Sequence, residues 1–142
     1  MRNYFYTQSG AIMNTQEYVK LAIKTESTDF ESMNTRLQDD GLKRLLHAGI
    51  GLSTEAGEFL DALKKHIFYG KELDRVNLAE EMGDLFWYLA IVADELGVNM
   101  DDVMERNIEK LKARYGEKFS EEKAENRDLK NERSILEKQT MN

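Results

Sequence analysis

The sequence contains no cysteine and no proline, and it has only two histidines. Without cysteine, the chain forms no disulfide, offers no thiolate to zinc and has no thiol nucleophile. This absence fits the reducing cytoplasm, where we expect the protein to be located. Without proline, breaks between helices must come from glycine and from the capping residues Asn, Asp and Ser.

Long apolar runs and an excess of positive charge are also missing. No stretch approaches the roughly 18–20 apolar residues that a membrane helix requires. The first residues, MRNYFYTQSGAI, lack the continuous apolar segment of a signal peptide. The net charge of −7 argues against nucleic-acid binding, because proteins of that class normally carry a basic surface. We therefore expect neither a membrane nor a nucleic acid as a partner.

The residues that are present suffice for one helical domain. Of the 142 residues, 41% are hydrophobic and 33% are charged. The hydrophobic positions recur at helical spacing, and no stretch shows the alternation of a strand. We predict an all-α protein, an antiparallel bundle of four to five helices that assembles into an oligomer. The helical domain covers residues 14–120, between an N-terminal arm of residues 1–13 and a charged helical tail of residues 121–142.

Capping residues and glycines predict where the helices begin and end. The short connection at residues 70–73 favours antiparallel contact between the two central helices. An alternative is a break of the first central helix at residues 49–54, with Ser53 or Thr54 capping a new helix. The predicted helices run from Asn14 or Thr15 with Tyr18, Leu21 and Ala22 facing inward, from Asp39 or Asp40 to Tyr69 before Gly70, from Asp74 to near Gly97, and from Asn99 or Asp101 to Gly116.

Two pairs of acidic residues with the same spacing lie on the two central helices, namely Glu55 with Glu58 and Glu81 with Asp84. Residues three apart share one side of a helix, with roughly 5–6 Å between their Cβ atoms. In an antiparallel hairpin the two pairs converge, and clustered carboxylates raise one another's pKa unless a cation lies between them. Oxygen ligands alone favour magnesium, manganese or calcium over zinc.

The positions of these acids relative to the apolar stripes differ between the two helices. Glu81 and Asp84 fall at the edge of the apolar stripe of the second helix, and Glu55 flanks the stripe of the first. Glu58 falls nearly opposite that stripe, so it is interior only if another helix or a second subunit covers it. The alternative interpretation is that all four carboxylates are solvated flanks of amphipathic helices.

Basic and polar residues suited to phosphate binding occur near the acids and on the last core helix. Asn107, Lys110 and Arg114 stand at positions i, i+3 and i+7, on one side of that helix. Lysine as a point charge and arginine as a fork both match phosphate oxygens. Lys65 lies near the end of the first acidic helix. The alternative for each of these residues is an ordinary solvated surface.

Aromatic and histidine side chains leave two interpretations open. Phe68, Tyr69, Trp87 and Tyr88 are suited to stacking on a nucleobase, although aromatic residues at helical spacing more often belong to a core. The two histidines, His47 and His66, are interpreted as core or surface residues and not as metal ligands.

The acidic and basic motifs follow one another in a definite order: Glu55-x-x-Glu58, a gap of 22 residues, Glu81-x-x-Asp84 inside LAEEMGDLFWYLA, then Asn107-x-x-Lys110 and Arg114-Tyr115. In order and spacing, this set resembles the MazG-like nucleoside triphosphate pyrophosphohydrolases over roughly residues 40–120. The resemblance implies an all-α dimer or tetramer that hydrolyses nucleoside triphosphates to monophosphate and pyrophosphate with Mg²⁺, or with Mn²⁺ as the alternative.

The resemblance also implies roles for individual residues. It makes Glu55, Glu58, Glu81 and Asp84 metal ligands, and it makes Lys110 and Arg114 phosphate contacts. Some relatives have an additional Glu immediately before the first motif Glu, where it is taken as the base that activates water. This chain has Thr54 at that position. The proton acceptor is then one of the motif carboxylates, or the metal alone acidifies the water.

Two other functions remain open from the sequence. One is a non-catalytic helical module whose acids are surface residues and whose tail mediates assembly. The other is a member of the same family that binds a nucleotide without cleaving it.

Overall fold

A computed structural model describes residues 14–137, and every regular element in that range is a helix. The all-α prediction is therefore confirmed for this part of the chain. The predicted arm at residues 1–13 and the end of the predicted tail at residues 138–142 lie outside the described residues. The chain forms two compact units, one ending at Asp39 and the other beginning at Asp40.

The first unit contains two short helices, α1 (Thr15–Ala22) and α2 (Phe30–Arg36), with a 3-10 turn at Ile23–Thr25 after α1. The side chain of Asn14 caps α1 by accepting a hydrogen bond from the Glu17 backbone N–H, as predicted. The three residues predicted to face inward, Tyr18, Leu21 and Ala22, are exposed instead. Periodicity marks an apolar side of α1, but an eight-residue helix does not itself provide the surface that covers it.

The second unit begins with α3 (Asp40–Tyr69), which is one continuous helix. Gly70 follows it with φ +64°, the left-handed conformation expected of a glycine cap. The alternative of a break at residues 49–54 is wrong. The hydroxyl of Ser53 donates to the carbonyl of Gly49 at 3.0 Å, and that of Thr54 donates to the carbonyl of Gly51 at 2.9 Å. Both hydroxyls thus bond backward within the helix and cap no new one.

The next helix, α4 (Arg75–Leu96), returns antiparallel to α3. Asp74 caps it, because its Oδ1 accepts from the backbone N–H groups of Val76 and Asn77, both at 3.0 Å. Arg44, near the start of α3, donates to Asp94 at 2.5 Å and to Glu95 at 2.7 Å, near the end of α4. These ion pairs confirm the predicted antiparallel hairpin.

Three further helices complete the described chain: α5 (Met100–Tyr115), α6 (Glu121–Glu125) and α7 (Leu129–Glu137). Asn99 caps α5, and Gly116 follows its last residue, as predicted. Both α6 and α7 contact α5. The predicted bundle of four to five helices in an oligomer stays a prediction. Among the described helices, none has the length and apolar character needed to cross a membrane.

Little of the apolar surface is covered within one chain. Among the described residues, the buried hydrophobic residues are Ala48 on α3 and Ala93 on α4, and no large side chain is fully buried. Large apolar side chains of α3 and α4, among them Ile67, Met82 and Leu96, are exposed. The hairpin therefore has a narrow core of small residues, with large apolar side chains on its outer faces.

Candidate active site

The hairpin brings the two acidic motifs to the same level. Gly51 lies one turn before Glu55 on α3, and Tyr88 lies one turn after Asp84 on α4. Gly51 is buried against the Tyr88 ring, and a Cβ atom built on Gly51 would lie 2.1 Å from ring atoms. The helices therefore approach closely at this point because residue 51 has no side chain. This approach sets Glu55 opposite the acids of α4.

Three of the four predicted carboxylates come together. Glu55, Glu81 and Asp84 each place a carboxylate oxygen within 4.8 Å of the others. Glu81 is only 5% exposed, Glu55 is half-buried and Asp84 is exposed. The group is thus open to solvent on the Asp84 side and closed on the Glu81 side. A metal ion that also binds a substrate needs a coordination position that is open to that substrate.

Glu58 lies beside this group and does not belong to it. Its side chain is exposed and lines a polar pocket toward the loop end of the hairpin. Its charge nevertheless reaches the group, because it raises the pKa of Glu55. The role of Glu58 as a metal ligand stays a prediction.

Electrostatic repulsion among these acids is visible in the pKa of Glu55. The pKa is raised above its ordinary value, first by burial, then by Glu58, and further by Asp84 and Glu81. The Thr54 hydroxyl, 3.3 Å from Oε1 of Glu55, opposes that rise. A carboxylate that is costly to ionise beside other carboxylates is stabilised by a cation. The three oxygen donors fit a hard divalent ion.

Asn77 contacts the most buried acid and was not identified from the sequence. Its side-chain amide Nδ2 donates to Oε1 of Glu81 at 2.7 Å. The available signal was the spacing, because residues four apart on a helix are neighbours. That spacing is common, however, and Asn77 is not acidic, so neither pair of acidic residues points to it.

The polar pocket next to the acids has a volume of about 340 Å³ and is lined in part by Lys65, whose role as a substrate contact stays a prediction. Lys65 forms an ion pair with Asp61 at 2.7 Å, and Lys64 pairs with the same carboxylate. The two lysines lower the pKa of Asp61 to about 2, with Lys64 as the larger cause. The pocket is lined by Glu58, Asp61, Ala62, Lys65, Lys71, Glu72, Asp74, Asn77 and Glu81.

The residues predicted to bind phosphate on α5 do not line this pocket. Asn107 is exposed and Lys110 is half-buried. Arg114 donates to both oxygens of Glu132 on α7, at 2.8 and 2.5 Å. The guanidinium is thus engaged by a carboxylate of the tail, and the phosphate role of all three residues stays a prediction.

The aromatic candidates divide into a packed cluster and an exposed pair. Trp87 and Tyr88 have ring centroids 4.8 Å apart, and the His47 ring meets each of them edge-on. Trp87 is still 56% exposed. Phe68 and Tyr69, at the end of α3, are largely exposed. In a single chain, three of these four aromatic side chains are therefore outside any core.

Comparison with known proteins places the chain in a family. The MazG nucleotide pyrophosphohydrolase domain matches residues 46–119. The Gene 37 protein of Mycobacterium phage L5 is 36% identical over 80 residues, which is 53% of this chain and 69% of the phage protein. The uncharacterized protein YvdC of Bacillus subtilis (strain 168) is 38% identical over 73 residues, which is 45% of this chain and 69% of that protein. No solved structure matches the chain. The match covers α4, most of α3 and all of α5, and the chain belongs to the MazG nucleotide pyrophosphohydrolase domain family.

Proposed function

We propose that the protein is a Mg²⁺-dependent nucleotide pyrophosphohydrolase that cleaves a nucleoside or deoxynucleoside triphosphate to the monophosphate and pyrophosphate. The observation that carries the proposal is the convergence of Glu55, Glu81 and Asp84 within 4.8 Å, in a chain that belongs to this family. Burial of a carboxylate among other carboxylates costs stability unless a cation compensates it. This cost favours an ion-binding site over an interaction module.

The reaction consists of attack by water on the α-phosphorus and cleavage of the bond from that phosphorus to the oxygen that bridges to the β-phosphate. Glu55, Glu81 and Asp84 hold the cation at the hairpin. Bound Mg²⁺, or Mn²⁺, neutralises phosphate charge and makes a water molecule more acidic. Lys65 faces the triphosphate from the polar pocket.

The proton of the attacking water goes to a motif carboxylate in this proposal. Thr54 is unsuited to accept it, because a neutral hydroxyl is a far weaker base than a carboxylate, and this hydroxyl donates to the Gly51 carbonyl at 2.9 Å. Glu58 lies next to the three clustered acids and serves as a fourth ligand or as the proton acceptor. Asn107, Lys110 and Arg114 contact the departing pyrophosphate, and Arg114 must then exchange its Glu132 partner for phosphate.

We also propose that the chain acts as a homodimer or homotetramer in the cytoplasm. The large apolar side chains on the outer faces of α3 and α4 support assembly with a second copy. A partner helix on those faces would complete a bundle of the size predicted from the sequence.

Substitution of Glu81 tests the proposal most directly. We expect Glu81→Gln to reduce Mg²⁺-dependent pyrophosphate release to background while leaving the helical circular dichroism spectrum unchanged, because the amide keeps the shape of the side chain and removes its charge. Release is measured on a panel of nucleoside and deoxynucleoside triphosphates. The matched control is Glu80→Gln, since Glu80 is the exposed neighbour outside the acidic group.

Wild-type pyrophosphate release by Glu81→Gln would contradict a role of Glu81 in the site. An equal loss of release in Glu80→Gln would show that the effect is not specific to Glu81. Two observations favour a second candidate, a family member that binds nucleotide without turnover: Arg114 is already engaged by Glu132, and position 54 lacks an acid. That candidate predicts a higher melting temperature with nucleotide and Mg²⁺, yet no pyrophosphate release from any member of the panel.

A further inference from the structure

We propose that Asn77 is a positioning residue that orients the carboxylate of Glu81 toward a bound divalent cation. This inference rests on the proposed function, because it assigns Glu81 to the cation. It adds a residue outside the acidic motifs, one turn before Glu81 on α4.

The hydrogen bond between Asn77 and Glu81 is short, and both the side chain and the backbone N–H of Asn77 donate hydrogen bonds. The Asn77 amide donates to Oε1 of Glu81 at 2.7 Å. The Asn77 backbone N–H donates to the capping carboxylate of Asp74 at 3.0 Å, so the first turn of α4 is itself fixed. Asn77 is half-buried and Glu81 is buried, which protects the hydrogen bond from competing water.

The bond leaves Glu81 with unused acceptors. An ionised carboxylate offers roughly four acceptor positions on its two oxygens. The amide occupies one of them on Oε1, and an oxygen of the same carboxylate lies within 4.8 Å of oxygens of Glu55 and Asp84. One hydrogen bond to a carboxylate ligand from a neighbouring side chain is the arrangement that holds metal ligands in a productive orientation.

The chemical nature of the donor matters as much as its position. Elsewhere in this unit, strongly bonded carboxylates are paired with cations: Asp61 with two lysines, and Glu132 with Arg114 and Arg127. Among the described residues, no Lys or Arg forms an ion pair with Glu81, and its side-chain donor is a neutral amide. A neutral donor fixes the rotamer and leaves the full negative charge for the cation, whereas a lysine at position 77 would compete with it.

The test measures divalent-ion affinity and not turnover, with Mn²⁺ as the probe in an electron paramagnetic resonance titration. We expect Asn77→Leu to weaken Mn²⁺ binding by about 10- to 100-fold, the usual effect of removing a partner of a metal ligand. Asn77→Gln keeps a side-chain amide four residues before Glu81, within reach of its carboxylate. This variant should therefore retain most of the affinity that Asn77→Leu loses. Asn34→Leu, an exposed helical asparagine in α2, is the matched control and should bind as the wild type does.

Melting temperature without metal separates positioning from a general structural role. A merely structural Asn77 would lower the metal-free melting temperature in Asn77→Leu and leave the Mn²⁺ affinity of the folded protein unchanged, and that result would overturn the inference. If Asn77→Leu fails to fold, Asn77→Ala gives the same test, because alanine is the best helix former. Equal Mn²⁺ affinity in the wild type and in Asn77→Ala would overturn the inference about Asn77 and leave the proposed function standing. A wild type that binds no divalent ion would overturn the proposed function as well.

Discussion

Gly51 controls how closely the two site helices approach, because the ring of Tyr88 occupies the space that a Cβ atom would need. We expect Gly51→Ala to destabilise the protein by about 1–3 kcal/mol, the usual cost of an added methyl group in a filled contact. The gain in helix propensity, up to about 1 kcal/mol, offsets only part of that cost. The free energy of unfolding in urea measures the effect.

Two other glycines of α3 serve as controls for this substitution. A Cβ atom on Gly49 or Gly57 meets no atom within 4 Å. Gly49→Ala and Gly57→Ala should therefore leave stability unchanged or raise it by up to about 1 kcal/mol. If Gly51→Ala behaved as these two variants do, the close contact with Tyr88 would not exist in solution.

Single residues also show how far the sequence predicts the site. Residues three apart turn through about 300° at 100° per residue. The spacing therefore correctly indicated that Glu81 and Asp84 share a side of α4, and the antiparallel hairpin brought Glu55 to them. The same spacing alone could not show whether Glu58 also turns toward α4, but its position nearly opposite the apolar stripe of α3 indicated an exposed side chain, as the structure has it. Asn77 was missed because its function depends on a hydrogen bond within the folded helix.

At the level of elements, a buried carboxylate of α7 forms an ion pair with α5. Glu132 is 5% exposed and accepts from Arg114 at 2.8 and 2.5 Å and from Arg127 at 2.7 Å. These hydrogen bonds lower the pKa of Glu132 from 4.5 to about 2, with Arg114 as the larger cause, and Glu132 in turn raises the pKa of Arg114. The ion pairs between α7 and α5 therefore require Glu132 to be ionised.

This requirement predicts a dependence of stability on pH. The folded state lowers the pKa of Glu132, so its contribution is fully present above about pH 4.5 and is lost as the pH falls toward about 2. We expect Glu132→Gln to be less stable than the wild type near pH 7, because Arg114 loses its charged partner. The difference in unfolding free energy between the two proteins should shrink as the pH falls through that window. Urea unfolding at a series of pH values measures it.

The exposed acid Glu137 provides the control for this series. It pairs with Arg133 on the solvent-facing side of α7, where an ion pair contributes little. Glu137→Gln should therefore differ little from the wild type at any pH. A Glu132→Gln variant with the same small, pH-independent difference would contradict the proposed attachment of α7.

Element boundaries were predicted well where local chemistry determines them. Asn14, Asp74 and Asn99 cap helices through their own side chains, and Gly70 and Gly97 end helices in the left-handed conformation. The pairing of Glu132 with Arg114 spans 18 residues of a charge-rich segment that offers many alternative partners. No local pattern selects one of these partners, so the sequence predicts a charged helical tail but not its contact with α5.

For the whole molecule, the main observation is that α3 and α4 have large apolar side chains that the described residues 14–137 leave exposed. Large contiguous apolar surfaces are unusual on monomeric proteins and indicate association. Periodicity predicted which residues are apolar on each helix, but it could not show whether the covering surface belongs to the same chain. The exposed large apolar side chains of α3 and α4 include Leu46, Ile50, Leu60, Ile67, Val76, Phe86, Trp87 and Leu96.

The proposed assembly with a second copy accounts for both this exposure and the narrow core of the hairpin. We expect light scattering to give a mass of two or four times the 16.5 kDa of the chain, and the melting temperature to rise with protein concentration. Phe86→Asp places a charge on the exposed apolar side of α4 and should shift the protein toward the monomer, since a charge without a partner is costly to bury. Glu80→Lys replaces one exposed charged side chain of α4 by another and should leave the mass unchanged. A wild type that stays monomeric at every concentration would mean that the hairpin is stable with its apolar faces in water.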